Sequence, residues 1–158
     1  MPESSLPAPP RGAAARHLRQ RAQFQAVLSS PALVHTAHFA LHGIPTASLA
    51  GPRGVPLFPG GGTWLGVVVP KRWARRAVTR NTLKRQIYAV EREQPLPAGA
   101  WVVRLKRAFP TTEFPSATSA ALRRAARLEL LQLLGPRLRQ RLAAGVDGHR
   151  PDAPPDAP

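Results

Sequence analysis

The chain contains no cysteine. That excludes disulfides, thiolate metal sites and cysteine nucleophiles, and it fits a reducing cytoplasm. Between Glu3 and Glu91 there is no Asp or Glu. Paired carboxylates are therefore missing over most of the fold, so neither two-metal hydrolysis nor carboxylate acid–base catalysis has its parts there, and no catalytic residue is assigned. No run of about eighteen apolar residues occurs, so no membrane-spanning helix is predicted. The opening MPESSLPAPPRGAAARHLRQR lacks an apolar h-region and does not read as a secretory signal. The expectation is a soluble, cytoplasmic protein.

What the chain does have is positive charge: 158 residues carry a net +15 with a pI near 12.0. This exceeds what solubility needs and points to a nucleic acid or another anionic surface. Residues 1–15 and 144–158 are rich in Pro and Ala, and disordered tails are expected there. One domain over 16–143 remains, long enough for a modest single core.

Within it, Phe24, Val27 and Leu28 recur at i, i+3, i+4 in an amphipathic helix that begins near Arg16 and ends at Ser29-Ser30-Pro31. Leu33 to His42 reads as one strand, with His35, Ala37, Phe39 and Leu41 on one face and Thr36, His38, Ala40 and His42 on the other. Its histidines point to opposite faces with no carboxylate nearby in sequence, so no metal site is assigned. Residues 43–63 form a Pro/Gly-rich loop, expected to be mobile, and Trp64–Val69 is a continuous apolar run suited to a strand covered on both faces. Ala100–Lys106 is a further strand, with Trp101, Val103 and Leu105 on one face and Val102, Arg104 and Lys106 on the other. A last helix over about 116–134, capped by Thr118 or Ser119, buries Leu122, Leu128, Leu131 and Leu134 and stops or kinks at Gly135-Pro136. The order predicts a small α/β (α+β) domain with helices packed on a central sheet of about four strands.

The stretch Lys71–Arg92 carries the function. Seven of its first fifteen residues are cationic: Lys71, Arg72, Arg75, Arg76, Arg80, Lys84 and Arg85. On a helix Leu83, Ile87 and Val90 share one stripe, while Asn81, Lys84, Arg85 and Tyr88 share another. A solvated helix face usually mixes signs at i, i+4, because like charges at that spacing repel. Arg72, Arg76, Arg80 and Lys84 follow one another at that step without a compensating acid. An uncompensated ridge of this kind predicts a polyanionic partner.

The motif VVVPKRWARRAVTRNTLKR resembles the signature of the bacterial ribonuclease P protein subunit. Lys71-Arg72, Ala77-Val78, Arg80-Asn81, Leu83 and Lys84-Arg85 stand in that family's order and separations. Leu18, Phe24 and Val27 match its first helix. The chain departs from the pattern at Thr82, where the family has arginine, and at Tyr88-Ala89, where Arg-Glu is common. The resemblance implies a small α/β sandwich with a left-handed βαβ crossover. It also implies an RNA-catalysed holoenzyme that uses Mg²⁺ and removes the 5′ leader of precursor tRNA, with no cofactor bound tightly by the protein. Lys71, Arg72, Arg75, Arg76, Arg80, Asn81, Lys84 and Arg85 would then face the catalytic RNA, and Phe24, Leu28 and His42 would line a groove for the single-stranded leader. A ribosomal or other structured-RNA-binding protein is the alternative that composition supports equally. An autonomous nuclease lacks carboxylates, and a helix-turn-helix DNA reader lacks a helix directly before the basic one.

Overall fold

A computed structural model describes residues 15–45, 54, 56–110 and 120–146. Most of the two tails, residues 46–53 of the long loop and the cap candidates Thr118 and Ser119 lie outside the described residues. The elements are β1 (Arg16–His17), α1 (Arg21–Leu28), β2 (Val34–His35), β3 (Phe39–Ile44), β4 (Thr63–Val68), α2 (Ala77–Glu93), β5 (Gly99–Leu105), α3 (Ala120–Gln132) and α4 (Leu138–Val146).

Five strands make one sheet in the order β1-β4-β5-β3-β2. Strands β4 and β5 are adjacent and parallel, pairing Leu65 with Trp101 and Val67 with Val103, and α2 connects them in a βαβ unit. β3 runs antiparallel to β5 with His42 opposite Val102. The alternation of β5 holds as the sequence predicts. Phe39, Leu41, Leu65, Trp101, Val103 and Leu105 face a core shared with α2 and α3, whereas Trp64, Ala100 and Val102 face Val27 of α1 together with Leu18 and Phe58. Helices therefore cover both faces, which is why the β4 run is apolar throughout.

Helix α2 shows which force wins locally. Its first turn has no acid, its N-cap residue is Arg76, and Arg80 and Lys84 repel at i, i+4; each such effect costs on the order of 0.3–1 kcal/mol. Against that, Leu83, Ile87 and Val90 are fully buried, worth about 1.5–3 kcal/mol apiece. Packing dominates, and the helix forms with its charges uncompensated.

Several expected elements differ. Arg16–His17 does not begin the first helix; it pairs in parallel with Trp64–Leu65 as an edge strand, and Gln23 Oε1 accepts the N–H groups of Arg19 (2.9 Å) and Gln20 (3.1 Å) to start α1 later. The expected 33–42 strand is a hairpin, with Val34 opposite Leu41 and His35 opposite Ala40. Its turn is closed by Thr36 N–H to the Phe39 carbonyl (2.9 Å) and clamped by Glu129, which accepts from the Thr36 hydroxyl and the His38 amide. The reversal places His35 on the face of Ala40 and His42, opposite to the single-strand expectation. Within the Pro/Gly-rich loop, Phe58 is anchored, 2% exposed against Trp64, and Gly60, Gly61 and Gly62 turn the chain into β4 at φ of 84°, 61° and 77°. In α3 the buried stripe is Leu122, Ala126 and Leu130, leaving Leu128 59% exposed rather than buried. Gly135-Pro136 kinks the helix, and α4 continues from Leu138 to Val146.

Candidate nucleic-acid interface

The basic ridge begins where β4 ends. Pro70 offers its carbonyl to the amides of Trp73 (3.0 Å) and Ala74 (3.1 Å), so Lys71–Trp73 form a turn and the chain is extended at Arg76 before α2 starts. Arg72 and Arg76 thus precede the helix, and within it only Arg80 and Lys84 keep the i, i+4 spacing expected of the whole series. Lys71, Arg72, Arg75, Arg76, Lys84 and Arg85 are exposed, as is Asn81. Arg80 is only half-exposed and differs in role: its Nη1 donates to the carbonyls of Ala74 (3.0 Å) and Arg75 (2.9 Å). It ties the lead-in to the helix and so fixes where Arg75 and Arg76 stand. The first turn of α2 carries no carboxylate, so its free amides and positive dipole end join these cations in favouring an anion. Thr82 is buried and donates to the Val78 carbonyl (2.8 Å), so this chain offers no cation where the family pattern has one.

A second surface lies on the opposite face of the sheet, between α1 and the outgoing ends of β4 and β5. Phe24 and Leu28 project from α1, both half-buried, and Val68 lies among the apolar residues beneath them. The Phe24 ring takes the space above Gly66, where a Cβ would lie 2.5 Å from Cε1. His42, the third expected groove residue, is 6% exposed and is not an open platform. Its Nδ1–H faces the Ser30 carbonyl at 2.9 Å, leaving Nε2 to accept from Arg104 Nε at 3.4 Å. Burial is the main cause holding this imidazole below its ordinary pKa, with the Arg104 charge adding and the Ser30 bond opposing. His42 therefore stands neutral and orients Arg104. Lys106 and His35 sit beside it on the same face, Nζ to Nδ1 3.3 Å, with the His35 pKa lowered by burial and then by Lys106 and Arg104. Arg104 and Lys106 share a face with Val102, as the alternation of β5 predicts, and the pairing of Val102 with His42, which the sequence does not show, brings them beside it.

The described carboxylates have other employment. Glu91 is 2% exposed and accepts the amides of Leu96 (3.2 Å) and Ala15 (3.4 Å), holding the approach to β1 against the end of α2. Glu93 pairs with Arg127, and Glu129 holds the β2–β3 turn and His38 Nδ1 (2.8 Å). The partners of all three lie outside both Lys71–Arg85 and the Phe24, Leu28 and His42 surface, apart from the turn that leads into β3. Among the described residues no group of three His, Asp or Glu side chains suits a metal ion, and no helix is long and apolar enough to cross a membrane.

The family model for Ribonuclease P matches residues 13–129. The ribonuclease P protein component of Bordetella parapertussis is 36% identical over 82% of this chain and 93% of its own length. That of Ralstonia pickettii is 48% identical over 44% of this chain, about half (49%) of that relative. In fold, the chain is similar to the ribonuclease P protein of Thermotoga maritima (TM-score 0.54, 22% identity, 77% of this chain and 96% of that one). It is also similar to that of Staphylococcus aureus (TM-score 0.53, 19% identity, 76% and 93%). The matched span takes in α1, the βαβ unit and the whole basic ridge, and on that ground the chain belongs to the ribonuclease P protein family.

Proposed function

We propose that this chain is the RNA-binding subunit of a ribonuclease P in which a catalytic RNA cuts the 5′ leader from precursor tRNA. One observation carries the reading: six exposed cations between Lys71 and Arg85 with no carboxylate among them, in a protein whose described acids are all engaged elsewhere. Such a surface binds phosphates and positions folded RNA; it has no general base or acid to hydrolyse it. Asn81 adds a hydrogen-bonding group beside the cations. The groove of Phe24, Leu28 and Arg104 suits a single strand, which needs an apolar or aromatic platform together with backbone charge. Among the described residues no cluster of carboxylates suits Mg²⁺, since Glu91, Glu93 and Glu129 are each bonded within the protein, and the reaction's metal ions are assigned to the RNA. The particle is assigned to the cytoplasm, with no DNA or membrane partner.

The rival reading, a ribosomal protein, predicts a different companion. The chain is purified from its own cells and the bound RNA sequenced. A ribonuclease P-type catalytic RNA is expected, and recovery of ribosomal RNA alone contradicts the proposal.

A further inference from the structure

The polar stripe of α2 ends in an aromatic residue where the family pattern has a cation. Tyr88 lies one turn beyond Lys84 and Arg85, on the side that carries Asn81. It is half-buried against the core beneath α2, and the imidazole of His17 on β1 stacks on its ring, with centroids 4.0 Å apart and planes 18° from parallel. His17 itself is exposed. It is held by main-chain pairing of β1 with β4 rather than by its side chain, since His17 stands opposite Leu65 and the next amide, Leu18, donates to the Leu65 carbonyl at 3.0 Å. Exposed Arg19 follows on the same segment, near enough for its charge to act on Tyr88. A two-ring step thus continues the cationic ridge, with exposed His17 as its outer ring and exposed Arg19 on the same segment. The fully buried stripe of α2 is Leu83, Ile87 and Val90; Tyr88 packs against that core in part, and exposed His17 lies on it from the β1 segment.

We propose that His17 and Tyr88 form a stacking platform for one unpaired base of the RNA that the ridge binds, replacing a phosphate contact with a base contact. The proposal rests on the reading of Lys71–Arg85 as the RNA-binding surface and adds the kind of nucleotide recognised at its far end. Unpaired bases bind proteins by lying on aromatic faces, and a single stacked base changes affinity by about five- to 150-fold. A base contact of this kind also differs from a phosphate contact in its response to salt, because no counterion is released by stacking.

The test measures binding of the full chain to its ribonuclease P RNA over a salt series for His17→Ala, Tyr88→Phe, Tyr88→Arg and Lys84→Ala. His17→Ala, an exposed position, is expected to weaken binding at least fivefold at every salt concentration with the slope of log K against log[salt] unchanged. Tyr88→Phe is expected to bind as the wild type does. Tyr88→Arg is expected to steepen the slope by about 0.7–0.9, and Lys84→Ala to flatten it by the same amount. The inference is overturned if His17→Ala binds like the wild type, if it lowers only the unfolding midpoint, or if its loss comes with a flattened slope. Wild-type protein that fails to bind the RNA at all overturns the underlying reading as well, and is distinguished by that control.

Discussion

Removing Lys84 and Arg85 together tests the ridge quantitatively. Six cations there are exposed, whereas Arg80 spends its guanidinium on the Ala74 and Arg75 carbonyls. With about 0.7–0.9 of a counterion released per neutralised phosphate, six contacts give log K against log[salt] a slope of about −4 to −5. Between 50 and 200 mM salt the wild-type affinity then falls by about 300- to 2,000-fold. The Lys84→Ala/Arg85→Ala protein keeps four contacts, a slope of about −3 to −3.6 and a fall of only about 50- to 150-fold over the same interval. Arg80→Ala behaves differently: the lead-in loses its tie, so affinity drops at all salt concentrations while Lys71–Arg76 become less ordered. Filter binding or fluorescence anisotropy with the catalytic RNA gives both slope and affinity, and circular dichroism checks that α2 persists. A wild-type slope shallower than about −2, or a double variant with an unchanged slope, refutes the assignment of these side chains to phosphates.

Phe24→Ala is expected to weaken holoenzyme binding of precursor tRNA with a long leader by about five- to 150-fold and to leave leaderless tRNA unaffected; equal losses for both substrates would contradict the groove. Gly66→Ala puts a methyl 2.5 Å from Phe24 Cε1 and 2.8 Å from Leu18 Cδ1, so thermal unfolding should show a loss of about 1–3 kcal/mol, partly relieved in Gly66→Ala/Phe24→Ala, where the Leu18 contact remains. For His42 the folded-state pKa lies below the ordinary 6.5, so the unfolded chain takes up protons first as pH falls. Stability is therefore flat above about pH 6.5 and declines below it. Arg104, His35 and Lys106 share its surroundings, and denaturant midpoints of His42→Gln and His35→Gln across that range should assign most of the decline to His42.

The parts of the fold that could be read from sequence are those where side-chain spacing and packing agree. Leu83, Ile87 and Val90 are buried as their helical spacing requires, and β5 alternates between Trp101–Val103–Leu105 and Val102–Arg104 as a strand must. The parts that could not be read depend on contacts distant in sequence. The β2–β3 hairpin is invisible because its turn is clamped by Glu129, far along the chain, while alternation through Thr36 and His38 continues the pattern of a single strand. β1 is two residues long and exists only because β4 offers an edge. Leu128, expected to be buried, is exposed, because the helix turns the stripe of Leu122, Ala126 and Leu130 to the core and a small residue fits at the α3 contact. For the site, cationic residue types could be read from sequence but their duties could not: nothing local shows that Arg80 bonds the lead-in carbonyls or that His42 is buried behind Arg104. Phe58, hidden among prolines and glycines, packs a segment expected to be mobile.

The most direct test of the central claim is a comparison of precursor tRNA cleavage at low Mg²⁺ by the protein alone, by the catalytic RNA alone and by the two together. Cleavage is predicted only for the combination, with the leader released at the mature 5′ end and the protein alone inert. Cleavage by RNA-free protein, or equal rates for the RNA with and without it, would contradict the account.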